Sequence, residues 1–215
     1  MSTEATLGMN KRVPLETLQL AVEQELSGID DFDRIDETIR AQFQGEARAV
    51  KGLKQVRSTV RNSPIHDFLM EHKDDLLMAM KNKADKNLIL TAITAARFSF
   101  FYDVLSILGK QFRIQDDVNS DLLKRLIAVK YGSNKSVENK MYIAIPQMVE
   151  AELFTRPKPG LYEFTKPQCP AHPITLAIWK ESYYANEPLV SREDEEYVFH
   201  PYVRFIKVDE RLQDS

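Results

Sequence analysis

The chain of 215 residues (24.8 kDa) is 43% apolar and 28% charged, a composition typical of chains that fold around a hydrophobic core. Length alone predicts one or two domains. A single cysteine, Cys169, excludes an internal disulfide and suits a reducing cytoplasm, and the net charge of −3 excludes a polybasic coat. No membrane span is expected because Arg97 and Asp103 interrupt the apolar stretch 88–108, and residues 1–12 lack the apolar part of a secretion signal.

Basic charge is concentrated in two parts of the chain. Residues 105–166 carry ten basic and seven acidic side chains, whereas residues 1–104 carry 14 and 16 and residues 167–215 carry five and nine. A second basic run, within residues 45–61, has Glu46 as its only acid and contains Arg48, Lys51, Lys54, Arg57 and Arg61. A solvated helix face accounts for such a stripe. The alternative is that these five residues are secondary phosphate contacts.

The N-terminal part is predicted to be helical after a polar, mobile tail at residues 1–12. Pro14 begins a first helix, whose apolar residues repeat every three or four positions until Ser27-Gly28. The same spacing from residue 30 to residue 62 predicts one helix of about nine turns. Such a helix needs partner helices or a second copy of the chain to bury its apolar stripe, so we expect a homodimer.

Two more helices follow in the predicted order. Ser63-Pro64 ends the long helix, residues 65–81 form the next, residues 81–86 form a charged turn, and residues 88–112 form the most apolar helix. The aromatic residues of this last helix repeat at helical spacing and are expected in the core rather than around a cofactor. Residues 13–112 are therefore predicted to be a helical support or dimerisation region.

The segment 113–166 has a different pattern. Several possible N-cap residues at positions 116–121 precede an apolar run that ends at Tyr131-Gly132, which is typical of a helix ended by glycine. After the tight turn 133–135, Ser136 is the expected N-cap of a further helix. Pro146 removes a backbone donor inside this helix, so we expect either a bend there or a junction between two short elements.

A basic β-hairpin is predicted next. Residues 153–156 and 161–165 have strand composition, and residues 157–160 (Pro-Lys-Pro-Gly) have the composition of a hairpin tip. Helix, turn, helix and basic hairpin, over roughly residues 94–166, resemble the winged-helix DNA-binding superfamily. The resemblance lies mainly in Leu126 to Gly132, Val137 to Leu153 and Arg156 to Phe164.

This resemblance implies a mainly α fold with a small β component, in which an N-terminal helical region is followed by a winged helix at residues 113–166. It further implies that the second helix enters the major groove with its first turns and that the hairpin tip follows phosphates or the minor groove. The expected DNA-binding residues are Lys135, Ser136, Asn139, Lys140, Arg156 and Lys158. Those near the helix N-terminus are short or flexible donors, which suit phosphate, and Asn139 suits an adenine edge.

The C-terminal segment is expected to pack on the core. The prolines between positions 167 and 173 make a stiff connector, and residues 174–184 have the composition of a helix or a strand. The acidic run Glu193 to Glu196 is interpreted as a solvated turn rather than a metal or docking site. Residues 197–199 and 202–206 have strand composition.

No enzyme chemistry, metal or cofactor is predicted. Cys169 and His172 are separated by Pro170, and closeness along the chain does not make a catalytic pair. The four histidines lack the helical spacing to a carboxylate found in metalloproteases, and the seven glycines occur singly, so no phosphate-binding loop is present.

Two functional hypotheses follow from these observations. The first is a cytoplasmic, homodimeric regulator of transcription, replication or partition that binds specific sequences of double-stranded DNA. The alternative is a non-enzymatic adaptor that binds a protein partner through its helical region and the acidic run 193–196, with the winged helix as a scaffold.

Overall fold

The computed structural model describes residues 8–29, 32–42, 45–193 and 195–208. Their α-helices are α1 (Leu15–Ser27), α2 (Phe32–Gln42), α3 (Glu46–Arg61), α4 (His66–Glu71), α5 (Lys73–Ala79), α6 (Lys83–Arg97), α7 (Ser99–Gln111), α8 (Ser120–Tyr131), α9 (Lys135–Glu150) and α10 (Pro173–Asn186). The strands are β1 (Asp117–Asn119), β2 (Thr155–Lys158) and β3 (Leu161–Glu163), and 3-10 helices span Glu195–Phe199 and Pro201–Phe205. The expected mainly α fold with a small β component is confirmed. The buried apolar side chains form one cluster.

The prediction of one long helix over residues 30–62 is wrong. Its described residues form α2 and α3, whereas residues 30, 31, 43 and 44 lie outside the described ranges. Gly45 before α3 has a φ of 92°, a conformation that glycine adopts without steric cost. The two helices pack on each other and on α1. Much of the predicted stripe is consequently buried inside the chain, at no more than 2% exposure for Ile35, Ile39, Val56 and Val60. These four residues of the stripe from which a homodimer was expected are thus covered within one protomer.

The helix predicted at residues 88–112 is also two helices. Phe98 has an extended backbone (φ −125°, ψ 100°), and the chain bends by 119° there between α6 and α7. The predicted charged turn 81–86 is largely the first turn of α6, which the Asn82 side chain caps. Residues 65–81 likewise divide into α4 and α5. Among the described residues no single helix has the length and apolar composition of a membrane span; only α6 and α7 taken together do.

The three strands form an antiparallel sheet in the order β1–β3–β2. Val118 of β1 pairs with Tyr162 of β3, and Lys158 pairs with Leu161 across the turn at Pro159-Gly160. The predicted hairpin is therefore present. The sequence gives no local signal for β1, because its residues have the composition of helix caps and become a strand only by pairing with the distant β3.

A short turn joins α8 to α9, as predicted, and the backbone of Gly132 has a φ of 79° at the end of α8. The N-cap of α9 is Asn134 rather than Ser136, because the Asn134 side chain accepts the backbone N–H of Val137 at 3.0 Å. Pro146 lies inside α9, which continues to Glu150. The segment is thus one helix rather than a junction of two elements.

The described start of the chain is packed rather than extended into solvent. Met9 is 1% exposed, and the backbone N–H groups of the next two residues donate to the Gln55 Oε1 atom at 2.8 Å. This packing differs from the mobile tail predicted for residues 1–12, of which residues 1–7 lie outside the described residues.

The C-terminal segment packs on α6 and α7. Residues 174–184 adopt the helical alternative and belong to α10, which packs along α6. The two strands predicted after residue 196 are 3-10 helices, the second opened by Pro201, which has no backbone N–H to give to a sheet. That 3-10 helix lies so close to α7 that a Cβ at Gly109 would be 2.0 Å from the Pro201 carbonyl oxygen.

Glu25 of α1 ties α1 to α3 and α4, and this contact predicts a pH dependence of stability. Its carboxylate accepts hydrogen bonds from Arg61 (2.8 Å) and His66 (3.1 Å). Burial raises the pKa of Glu25, but the hydrogen bonds and charges of Arg61 and His66 outweigh burial, so the pKa lies below its usual value. A lowered pKa in the folded state stabilises the protein above the unfolded-state pKa, and this stabilisation is lost as the pH falls through the folded-state pKa.

We therefore expect Glu25→Gln to lower the free energy of unfolding at about pH 7, by no more than roughly 1 kcal/mol because Arg61 is half exposed. The difference from the wild type should shrink towards about pH 3. Urea denaturation at both pH values measures it, with the exposed Glu71→Gln as control. A difference that is independent of pH would contradict the assignment.

Candidate nucleic-acid interface

A cleft lies where α8, α9 and the β2–β3 hairpin meet. It is lined by Ser120, Lys124, Glu138, Met141, Tyr142, Ile145, Pro146, Arg156 and Tyr162. The backbone N–H of Ser120 donates to the Gly160 carbonyl oxygen at 2.8 Å, which holds the hairpin turn against the start of α8. The cleft therefore joins side chains of the second helix to side chains of the hairpin.

The floor of the cleft is apolar and its rim is polar. Met141 and Ile145 are buried beneath it, whereas Tyr142 is 66% exposed and Arg156 is exposed. Burial raises the pKa of the Tyr162 phenol and the neighbouring Arg156 opposes part of that shift, so the hydroxyl remains a neutral donor at physiological pH. The cleft therefore offers cationic and neutral hydrogen-bond donors over an apolar base.

The exposed face of α9 continues from the rim of the cleft. Lys135, Asn139 and Tyr142 follow one another at the spacing of one helix face, and all three are exposed. Ser136, one residue further round the helix, is exposed as well. Within the part of the chain that the structure describes, Lys135 and Asn139 have no side-chain hydrogen bond or ion pair, so both are free to contact a ligand.

Lys140 lies on another side of α9. Its Nζ atom donates to the Met9 carbonyl oxygen and to Asn10 Oδ1 (2.8 Å), and burial lowers the pKa of this lysine. Further along α9, Glu150 accepts hydrogen bonds from the Arg12 guanidinium and from the backbone N–H of Leu15, both at 2.9 Å. This side of α9 holds the N-terminal segment, and Lys140 does not line the cleft.

The two hairpin residues predicted to bind DNA lie on β2. Arg156 and Lys158 are exposed, and neither forms an ion pair with any residue in the described ranges. Only Arg156 lines the cleft, because Lys158 lies at the turn end of the strand.

The second basic run lies on α3, which packs on α1, α2 and α6 and contributes no residue to the cleft. Arg48, Lys51 and Lys54 are exposed, Arg57 is half-buried, and Arg61 is paired with Glu25 at 2.8 Å. The structure thus joins the α9 face to the hairpin and leaves the α3 stripe as a separate surface.

Of the nine lining residues, only Arg156 was a predicted site residue. The polar and aromatic lining residues that the sequence analysis missed are Ser120, Lys124, Glu138, Tyr142 and Tyr162. The signal for Tyr142 is present, because an aromatic residue three positions after Asn139 falls on the polar face of the predicted helix. Ser120 and Tyr162 give no such signal, since the pairing of β1 with β3 brings them to the cleft.

The chain matches no protein-family profile, no curated protein and no solved structure. In the described ranges, no three His, Cys, Asp or Glu side chains are grouped as a metal site. Of the acidic run, Glu193 and Glu196 are exposed and Asp194 lies outside the described residues. The cleft and the α9 face beside it are therefore the surface from which a function is argued.

Proposed function

We propose that the protein is a DNA-binding regulator in which residues 113–166 form a winged helix. In this proposal α9 lies in the major groove and the β2–β3 hairpin contacts the backbone beside it. The observation that carries the proposal is the cleft, because it places Arg156 of the hairpin beside the exposed face of α9. The order of helix, turn, helix and hairpin supports the same interpretation.

The chemistry of the exposed side chains suits a nucleic acid. Lys135, Arg156 and Lys158 are cations without an ion-pair partner in the described part of the chain, and cations of this kind bind phosphate with release of counterions. Asn139, one turn into α9, can form two hydrogen bonds with an adenine edge. Glu138 on the same side of α9 repels phosphate and accepts from cytosine, so it favours base contact over indiscriminate backbone binding.

The proposed surface lies within one chain. The homodimer and the cytoplasmic location expected from the sequence stay predictions, as do the target sequence and the sign of regulation. Lys140 is left out of the proposed contacts because its ammonium group is already bound to the N-terminal segment.

A duplex titration tests the proposal. We expect the wild type to bind mixed-sequence duplex DNA at low salt, with an affinity that falls steeply as salt rises. Lys135→Ala and Arg156→Ala should each weaken binding and reduce the slope of log K against log salt by about one unit. Fluorescence anisotropy at several salt concentrations measures both quantities.

Two control variants make this titration specific to the proposed surface. Lys81→Ala removes an exposed lysine outside the cleft, and Lys140→Ala removes the lysine bound to the N-terminal segment. Both should keep the wild-type salt slope. Equal losses in all four variants would indicate only a general charge effect, and absence of binding at low salt would contradict the proposal and favour the protein-binding adaptor.

A further inference from the structure

Tyr162 presents an unpaired donor to the cleft. It is only 6% exposed, and its ring packs edge-on against Phe154 with 5.6 Å between centroids. Its hydroxyl lies close enough to Arg156 and Tyr142 to interact with both electrostatically, and both of these residues line the cleft. The hydroxyl forms no hydrogen bond with another described residue, and it is not one of their fully enclosed unpaired polar atoms, so it opens into the cleft that Tyr162 lines. A ligand in the cleft would therefore be within reach of this donor.

The groups around this hydroxyl favour an oxyanion. Arg156 is an exposed cation without an ion-pair partner in the described ranges. Lys124, on α8, has a long contact of 3.8 Å with Asp121, and the Ser120 hydroxyl adds a neutral donor. Together these side chains offer charged and neutral donors to one acceptor-rich group, as a phosphate requires.

The rim of the cleft favours a planar ring attached to that oxyanion. Tyr142 is 66% exposed, so its ring face is available for stacking, and Glu138 can accept from the amino group of a base. The cleft measures about 110 Å³, which is below the roughly 300–1,000 Å³ of pockets that enclose a whole drug-sized ligand. A cleft of this size has room for a phosphate group, and a ring attached to that phosphate would lie at the rim.

We propose that this cleft binds a nucleotide, with its phosphate against Tyr162, Arg156 and Lys124 and its base stacked on Tyr142. The nucleotide is either a free nucleoside monophosphate or the 5′-phosphorylated end of a DNA strand, since both present the same phosphate and ring. This inference goes beyond duplex recognition, because it requires a single phosphate and an accessible ring rather than a continuous double helix.

Calorimetric titration of the full chain with adenosine 5′-monophosphate, in the absence of DNA, tests the site. We expect saturable binding that is weakened about tenfold by Arg156→Ala and by Tyr162→Phe, which removes one hydroxyl and keeps the ring. Lys81→Ala is the control, because it removes one exposed positive charge outside the cleft and outside the proposed DNA contacts, and it should change binding less than about twofold. Adenosine and inorganic phosphate should each bind more weakly than the nucleotide.

A second arm identifies the source of the nucleotide. Duplexes with and without a 5′-phosphate are compared, and a preference for the phosphorylated end that Tyr162→Phe abolishes supports a strand end as the ligand. Saturable monophosphate binding without such a preference supports a free nucleotide.

Three results would overturn the proposal. The first is that the protein neither binds the monophosphate nor prefers a phosphorylated end. The second is monophosphate binding that Arg156→Ala and Tyr162→Phe leave unchanged, and the third is an affinity for inorganic phosphate equal to that for the monophosphate. Circular dichroism checks the fold of Tyr162→Phe, and the exposed Arg156 carries the test if that variant unfolds. If the protein binds duplex DNA but shows neither monophosphate binding nor a preference for a phosphorylated end, the nucleotide site is overturned and the proposed function still stands.

Discussion

Replacement of Phe112 by alanine is expected to lower the free energy of unfolding by about 3–5 kcal/mol. Phe112 follows α7 and is 1% exposed. Its ring centroid lies 5.3 Å from that of Phe164, 5.8 Å from that of Phe154 and 6.1 Å from that of Phe205. Truncation leaves a cavity where the residues flanking the hairpin meet the C-terminal 3-10 helix, and neighbours anchored on separate elements cannot collapse to fill it.

Urea denaturation followed by far-UV circular dichroism measures this loss as a shift of the midpoint. Phe199→Ala is the control, because Phe199 is 75% exposed and its truncation should change stability by less than about 0.5 kcal/mol. Because the rings of Phe154 and Phe164 flank the hairpin, Phe112→Ala should also weaken duplex binding, whereas Phe199→Ala should not. Equal stability of the two variants would contradict the burial of Phe112 between these rings.

Asp85→Ala is expected to destabilise the protein by about 3 kcal/mol. The Asp85 carboxylate is fully buried in α6. It accepts the backbone N–H groups of Ala171 (3.1 Å) and His172 (3.2 Å) and the hydroxyl of Thr175 (2.6 Å). Removing the acceptor leaves these donors without a partner at the start of α10, and each buried unpaired donor costs about 1–3 kcal/mol.

The same denaturation assay tests this prediction. Asp116→Ala removes an equal charge from an exposed position and should stay within about 0.5 kcal/mol of the wild type. Asp85→Asn is the sharper variant, because the asparagine amide keeps one acceptor oxygen but replaces the other oxygen with an NH2 group. This NH2 group is itself a donor and cannot accept from the backbone N–H groups. We expect Asp85→Asn to be less stable than the wild type. If its stability equals that of the wild type, the second carboxylate oxygen is not required to bind these donors.

Those parts of the fold that depend on neighbouring residues were predictable. Gly132 ends α8, a short turn leads into α9, and Pro159-Gly160 makes the hairpin turn, because caps and turns are decided within a few residues. The prolines were less predictable: Pro146 lies within a continuous α9, while Pro201 opens a 3-10 helix where strand composition was present. At Pro201 the missing backbone N–H disfavours a sheet, a local effect that outweighs the strand composition of the residues after it.

The candidate site shows the same division. Helical spacing alone predicts that Lys135 and Asn139 share the polar face of one helix, and composition alone predicts a cationic hairpin containing Arg156. Spacing could not show that Lys140 bonds to Met9 and Asn10, since those partners lie about 130 residues away in the chain.

Local residue preferences were thus sufficient to predict a helical protein in which a short turn joins two helices and a basic hairpin follows them. Long-range contacts were needed for the rest: the folding of the 30–62 segment onto itself, the pairing of β1 with β3, and the cleft in which Tyr162 meets α9. The physical reason is that periodicity records which side of an element is apolar but not which distant surface covers it. That partner is selected by the burial and hydrogen bonding of the whole chain.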